Sequence, residues 1–148
     1  MKIPPILHVA AAAVIAWALN RFVPIWQFGG AFASSLAWVF GITGAGFLIV
    51  ALSNFRSNDT TIDPRDPSKA QHLVVTGVYR ITRNPMYVSM AFLLAGWCFY
   101  LGSIASFLVL PLFVIVINES QIKGEERALL QNFGAEYETY RKQVRRWL

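Results

Sequence analysis

Pro85-Met-Tyr-Val-Ser-Met-Ala-Phe-Leu-Leu-Ala-Gly-Trp-Cys-Phe-Tyr-Leu-Gly-Ser-Ile-Ala-Ser-Phe-Leu-Val-Leu-Pro-Leu-Phe-Val-Ile-Val-Ile-Asn118 carries no charged side chain. As one helix it would run about 50 Å at 1.5 Å per residue, too long for a hydrocarbon core of about 30 Å. The Gly102-Ser103 pair lies near its middle. The stretch therefore reads as a tight hairpin of two spans, each about 16 residues and near the lower limit for crossing a bilayer. Its ends are expected to be tilted or shielded by protein. Pro111 in the second arm predicts a kink or a shielded backbone carbonyl.

Two more apolar runs precede it, from about Ile6 to Val23 and from about Ala33 to Leu52. The first is long for the apolar core of a signal peptide. Asn20-Arg21 stands where small cleavage residues would be expected, so the run is read as a span. The expected fold is an all-α integral membrane bundle of about four transmembrane helices, with a cytoplasmic loop and a C-terminal helix. It forms a single domain: an N-terminal hairpin over 1–53, then a second hairpin and helix over 54–148.

Composition supports this reading. Of the 148 residues, 55% are hydrophobic and 14% charged, where a soluble domain has about 25% charged. Arg56, Arg65, Lys69, Arg80 and Arg83 lie between spans two and three. Lys123, Arg127, Arg141, Lys142, Arg145 and Arg146 follow span four. The connections at Gln27–Ser35 and near Gly102 have no basic residue. The positive-inside rule places both basic segments and the N-terminus on the cytoplasmic side of the inner membrane, as an even span count requires. All eight Asp and Glu share those two segments, so the polar chemistry gathers on one face. A net charge of +5 that flanks apolar spans points to anionic lipid rather than nucleic acid. No zinc-type Cys/His pair, phosphate loop or dinucleotide glycine fingerprint is present, so no metal is expected. The single Cys98 reads as a small core or lipid-facing residue.

Asp63-Pro-Arg-Asp-Pro67 makes the loop at 53–83 turn-rich, and His72-Leu-Val-Val75 reads as a short extended piece before Thr76-Gly77. Asn84-Pro85 reads as a helix start, with Asn capping and Pro in the first turn. Leu129, Phe133, Tyr137, Tyr140 and Val144 recur at helical spacing, and Gly134 is a candidate break. Gly41, Gly44, Ala45 and Gly46 would let the second span approach a neighbour closely, in this chain or in another copy.

These pieces include Leu73-Val-x-Thr-Gly-x-Tyr79, Arg83-x-Pro85-x-Tyr87, Glu125-Glu126-x-x-Leu129 and Phe133-Gly134-x-x-Tyr137-x-x-Tyr140. In that order, around a helical hairpin, they resemble the isoprenylcysteine carboxyl methyltransferase and phospholipid methyltransferase superfamily. The resemblance covers roughly Thr60 to Leu148. It implies S-adenosylmethionine-dependent methyl transfer to a lipophilic acceptor, a lipid or a prenylcysteine-like molecule, that enters laterally from the bilayer. It also implies a cofactor pocket facing the cytoplasm. Carried over by position, the cofactor-binding candidates are Gln71, His72, Leu73, Val74, Tyr79, Asn84, Pro85, Met86, Tyr87 and Glu125, with Glu126 as the alternative to Glu125. The catalytic candidates are Arg83, Tyr87 and Glu125.

Two positions depart from the carboxyl methyltransferases. Asn84 stands where they have His, and an Asn there resembles the bacterial branch of the superfamily. Gln121 stands where they place an Arg against the acceptor. Two other readings compete. A nicotinamide-dependent membrane reductase of the sterol type would be much longer. A small exporter would need a carboxylate inside a span, and no Asp or Glu lies in one here.

Overall fold

The computed structural model describes residues 3–23, 25–57 and 73–148. The Asp63–Pro67 turns, Gln71 and His72 lie outside the described residues. Five α-helices follow in order: α1 (Pro5–Phe22), α2 (Ala31–Ser57), α3 (Pro85–Leu101), α4 (Val109–Ile117) and α5 (Lys123–Gln143). Short 3-10 turns at Gly77–Arg80 and Ile104–Leu108 precede α3 and α4, and a wide π turn at Asn118–Ile122 joins α4 to α5. No strand occurs among the described residues. The chain is an integral membrane helical bundle. Three stretches are long and apolar enough to cross a bilayer, and α3 is a shorter apolar helix.

The charge-free stretch folds back where its small residues predict. Gly102 ends α3 in the left-handed conformation (φ 68°), which costs a residue without Cβ little. A Cβ there would also strike the Phe28 carbonyl. Pro111 falls in the first turn of α4, where its missing N–H matters least. A 3-10 turn, Ile104–Leu108, stands just before that helix, and no break is seen within it. α2 runs to Ser57, past the expected Leu52.

At one end of the bundle the two short connections meet. The Phe28 amide donates to the Gly102 carbonyl (2.8 Å), and the Ile104 amide to the Trp26 carbonyl (3.3 Å). At the other end stand the α1 start, the α3 start and α5. There Gln121, buried in the π turn, donates its amide to the Ile3 carbonyl (2.8 Å). The bundle is thus up-down-up-down, and the acidic and basic groups of α5 share an end with Arg80 and Arg83.

Inside the bundle, several polar side chains find backbone carbonyls, as a medium without water favours, while the buried Ser89 and Ser103 hydroxyls have no partner among the described residues. Trp97 Nε1 donates to Ala13 O (3.1 Å), Ser106 Oγ to Ala16 O (2.9 Å) and Cys98 Sγ to Ser106 O (3.3 Å). Each such bond across membrane helices contributes about 0.6 kcal/mol. Cys98 is therefore a core residue, fully buried.

The contact of α2 with α3 is the most extensive in the bundle, and small residues allow close approach there. A Cβ on Gly96 would lie 3.0 Å from the Ala37 carbonyl and 3.2 Å from the Gly41 amide. One on Gly44 would meet Leu93 and the Ser89 carbonyl. Of the small residues of the second span, Gly44 thus serves packing within one chain. Gly46 faces open space. Gly96→Val should lower stability by about 1–3 kcal/mol, since backbone atoms must give way. Gly46→Ala should leave thermal unfolding in detergent unchanged.

Candidate functional site

The polar end is organised by four segments: residues 73–84, the first turn of α3, the first turn of α5, and residues 144–148. Gly77 turns the chain with φ 59°, and Asn54 at the end of α2 donates to the Thr76 carbonyl (3.4 Å). The turn that follows is Gly77–Arg80, a 3-10 helix. It buries Val78 and Tyr79 in a small apolar cluster with Ala51 and Val74, against Phe47 and Met86.

The adjacent acidic residues go separate ways. Glu125 Oε1 accepts the Tyr87 hydroxyl at 2.5 Å, a charge-assisted bond. Glu126 is held by two guanidinium groups. Arg146 donates to both of its oxygens, at 3.0 and 2.6 Å, and Arg83 Nη1 lies 3.1 Å away. The Arg83 and Glu126 side chains are only 10% and 13% exposed. Hydrogen bonding to Glu126 raises the Arg146 guanidinium above its ordinary value. Glu126, expected as the alternative to Glu125, is therefore committed to ion pairing, which leaves Glu125 as the carboxylate beside the tyrosines.

Arg83 also donates to the Tyr137 hydroxyl (3.2 Å), while its Nε, buried, has no partner among the described residues. Tyr140 donates to the Tyr79 carbonyl (2.7 Å). Burial first, then the neighbouring Tyr140 hydroxyl and Glu125 carboxylate, push the Tyr79 phenol up. Tyr79 is thus a neutral hydrogen-bonding group at any physiological pH.

Asn84 occupies the expected position before α3, but its side chain makes no cap. Its Nδ2 donates instead to the Arg146 carbonyl (2.9 Å), which Thr82 Oγ1 also reaches (3.1 Å). The competing partner wins because residues 144–148 lie against the turn, with the Arg83 amide donating to the Arg145 carbonyl (2.9 Å). In the first turn of α3 the amides of Tyr87 and Val88 already bond to the Asn84 carbonyl (3.0 Å each), and Pro85 has none. An anion site built on several free amides is therefore reduced to Met86.

The structure thus brings Val74, Tyr79, Arg83, Asn84, Pro85, Met86, Tyr87, Glu125 and Glu126 to one end, with Leu73 half-buried beside them. Sequence reasoning missed the tail. Arg146, Tyr137 and Tyr140 complete the cluster, yet Arg146 registers in sequence only as one more basic flank. The Tyr pair was visible as an aromatic helix face, and both rings are buried.

The sequence pattern of phospholipid methyltransferases matches residues 32–136, from the start of α2 through most of α5. The chain belongs to the phospholipid methyltransferase family. It is 43% identical over 63 residues to an uncharacterized protein of Haemophilus influenzae, covering 43% of this chain and all of that one. It is 38% identical over 74 residues to the protein-S-isoprenylcysteine O-methyltransferase of Schizosaccharomyces pombe, covering 49% of this chain and 31% of the yeast protein. No solved structure matches. The superfamily expected from the ordered motifs is thus the one found.

The polar cluster thus stands at one end of a membrane bundle of the phospholipid methyltransferase family. Glu126→Gln would leave two cations facing a neutral amide, with Arg83 largely buried. Stability should fall by about 3 kcal/mol, the low end for a broken buried pair. Arg146→Ala should cost less, because that side chain is more exposed. Denaturant unfolding of both variants in detergent checks the order.

Proposed function

We infer that the protein transfers a methyl group from S-adenosylmethionine to a lipophilic acceptor, at the cytoplasmic face of the inner membrane. The observation that carries this reading is the Tyr87–Glu125 hydrogen bond, set beside Tyr79 on the family's own motifs. The basic groups clustered at this end favour the cytoplasmic orientation, with both chain termini on that side.

The residues suit the cofactor's parts. Glu125 supplies a carboxylate for a cationic group or for ribose hydroxyls. The Tyr79 and Tyr87 rings suit a cation by their negative faces. The buried Arg83 Nε–H, without a partner among the described residues, is a donor for a carboxylate. Val74 and Met86 offer an apolar wall for a purine. Asn84, Pro85 and Leu73 border these groups, and Gln71 and His72 belong to the proposed site by family likeness alone. When bound, the cofactor supplies a methyl group on a positively charged sulfur.

The work left to the protein is positioning. Holding two reactants in line can supply about 7–11 kcal/mol of the barrier. Glu125, Tyr87 and the Arg83 Nε–H would touch the cofactor, while the Arg83 Nη1 is held by Glu126 and Tyr137. A carboxylate or thiolate acceptor needs no base. An amine acceptor must first lose its proton, for which Glu125 is the nearest candidate among the cluster's carboxylates, since Glu126 is ion-paired. Gln121, turned to the Ile3 carbonyl, does not supply the cation an acceptor carboxylate would meet. This favours a lipid or other apolar acceptor over a prenylcysteine.

The test is transfer of labelled methyl from S-adenosylmethionine into lipids extracted from proteoliposomes. Wild type should label a lipid fraction. Glu125→Gln and Tyr87→Phe should lower the rate by about 100-fold or more, the scale of one lost electrostatic contact at a reacting centre. Full activity in both variants would remove these residues from the site.

A further inference from the structure

Between α2, α3, α4 and the tail lies a cleft of about 480 Å³. Every side chain lining it is apolar or aromatic, among them Phe40, Val88, Ala95, Leu110, Trp147 and Leu148. It runs from Val88, one turn into α3, down to Ala95 and Leu110 at the level of the bilayer interior. At its polar end stands Trp147. The indole would ordinarily bring a polar N–H into this lining, but Nε1 donates to Asn118 Oδ1 (3.2 Å) in the π turn. What remains toward the cleft is apolar ring.

Two separate segments join this cleft to the polar cluster one residue away. Val88 follows Tyr87, which bonds to Glu125, and Trp147 follows Arg146, which pairs with Glu126. The strap at 144–148 is fixed on one side by Thr82, Asn84 and Glu126, and on the other by Asn118. Trp147 is thus a braced ring at the junction of an apolar channel and a charged site. The fit is to a single apolar chain. Its tail would lie along α3 in the cleft, and its head would stop at the indole, beside the cluster.

We propose that Trp147 is the positioning residue for the acceptor. The ring, braced by Asn118, stops an apolar chain in the cleft and sets the register at which its head meets Tyr87 and Glu125. This rests on the methyl-transfer reading for the chain's role as acceptor, and on geometry alone for the register.

The experiment reads register without turnover. The full chain in phosphatidylcholine vesicles is irradiated with single-chain lysophosphatidylcholines that carry a diazirine midway along the chain. Adducts are mapped by peptide mass spectrometry. Wild type should label at the level of Ala95 and Leu110, and excess unlabelled lysophosphatidylcholine should suppress this by about tenfold or more, as for a specific apolar pocket. Trp147→Ala should move the adducts toward Val88 and Val114. Trp147→Phe, which restores a ring without its hydrogen bond to Asn118, should spread them over both levels. Asn118→Ala, outside the lining, should spread them over both levels while thermal unfolding stays as in wild type. Unchanged register in Trp147→Ala, or labelling that follows bulk lipid without saturation, would overturn the proposal. Saturable labelling by a protein that binds no S-adenosylmethionine would keep the register and sink the methyl-transfer reading instead.

Discussion

One carboxylate, Glu126, holds the polar end together. It lies between Arg83, which leads into α3, and Arg146, in the tail beyond α5. Three segments distant in sequence are fixed through it. Apolar replacements for such clusters often cost no stability, so the value of the pairing lies in placement. With Glu126 held, its neighbour is turned about 100° around the helix, which presents Glu125 to the Tyr87 hydroxyl. The Arg83 backbone is tied to the tail, its Nη1 also donates to Tyr137, and Tyr140 reaches back to Tyr79. The candidate site is the by-product of a clamp.

The lipid phase imposes the complementary constraint. Where no water is available, backbone groups must pair within the bundle, and the short α3 and α4 must still close their far end. Gly102 and Phe28 do this by a backbone bond between the two hairpins. Close approach of α2 to α3 at Gly44 and Gly96 then fixes the frame on which α3 presents Pro85 to Val88. Membrane packing and polar clamp share α3, so a change at either is felt at Tyr87.

Much of this was legible. A charge-free run too long for one span, broken at Gly102-Ser103, could only fold back, and the charges could only gather at one end. The motif order carried Tyr87 and Glu125. What stayed hidden depended on contacts between distant segments. Asn84 has a capping residue's identity and place, yet its amide goes to the Arg146 carbonyl, because the tail is there to receive it. Glu125 and Glu126 are indistinguishable as an acidic pair until Arg146 claims one of them. The tail's part in the site has no periodic or compositional signal, only a basic residue before a tryptophan.

The proposed role of this polar end is to receive an adenosyl cofactor. It is tested most directly by calorimetric titration of the detergent-purified wild-type protein with S-adenosylmethionine and S-adenosylhomocysteine, with NADPH as control. Saturable binding of the two adenosyl compounds, with none of NADPH, is the predicted result. Binding of NADPH in preference to both would contradict the account.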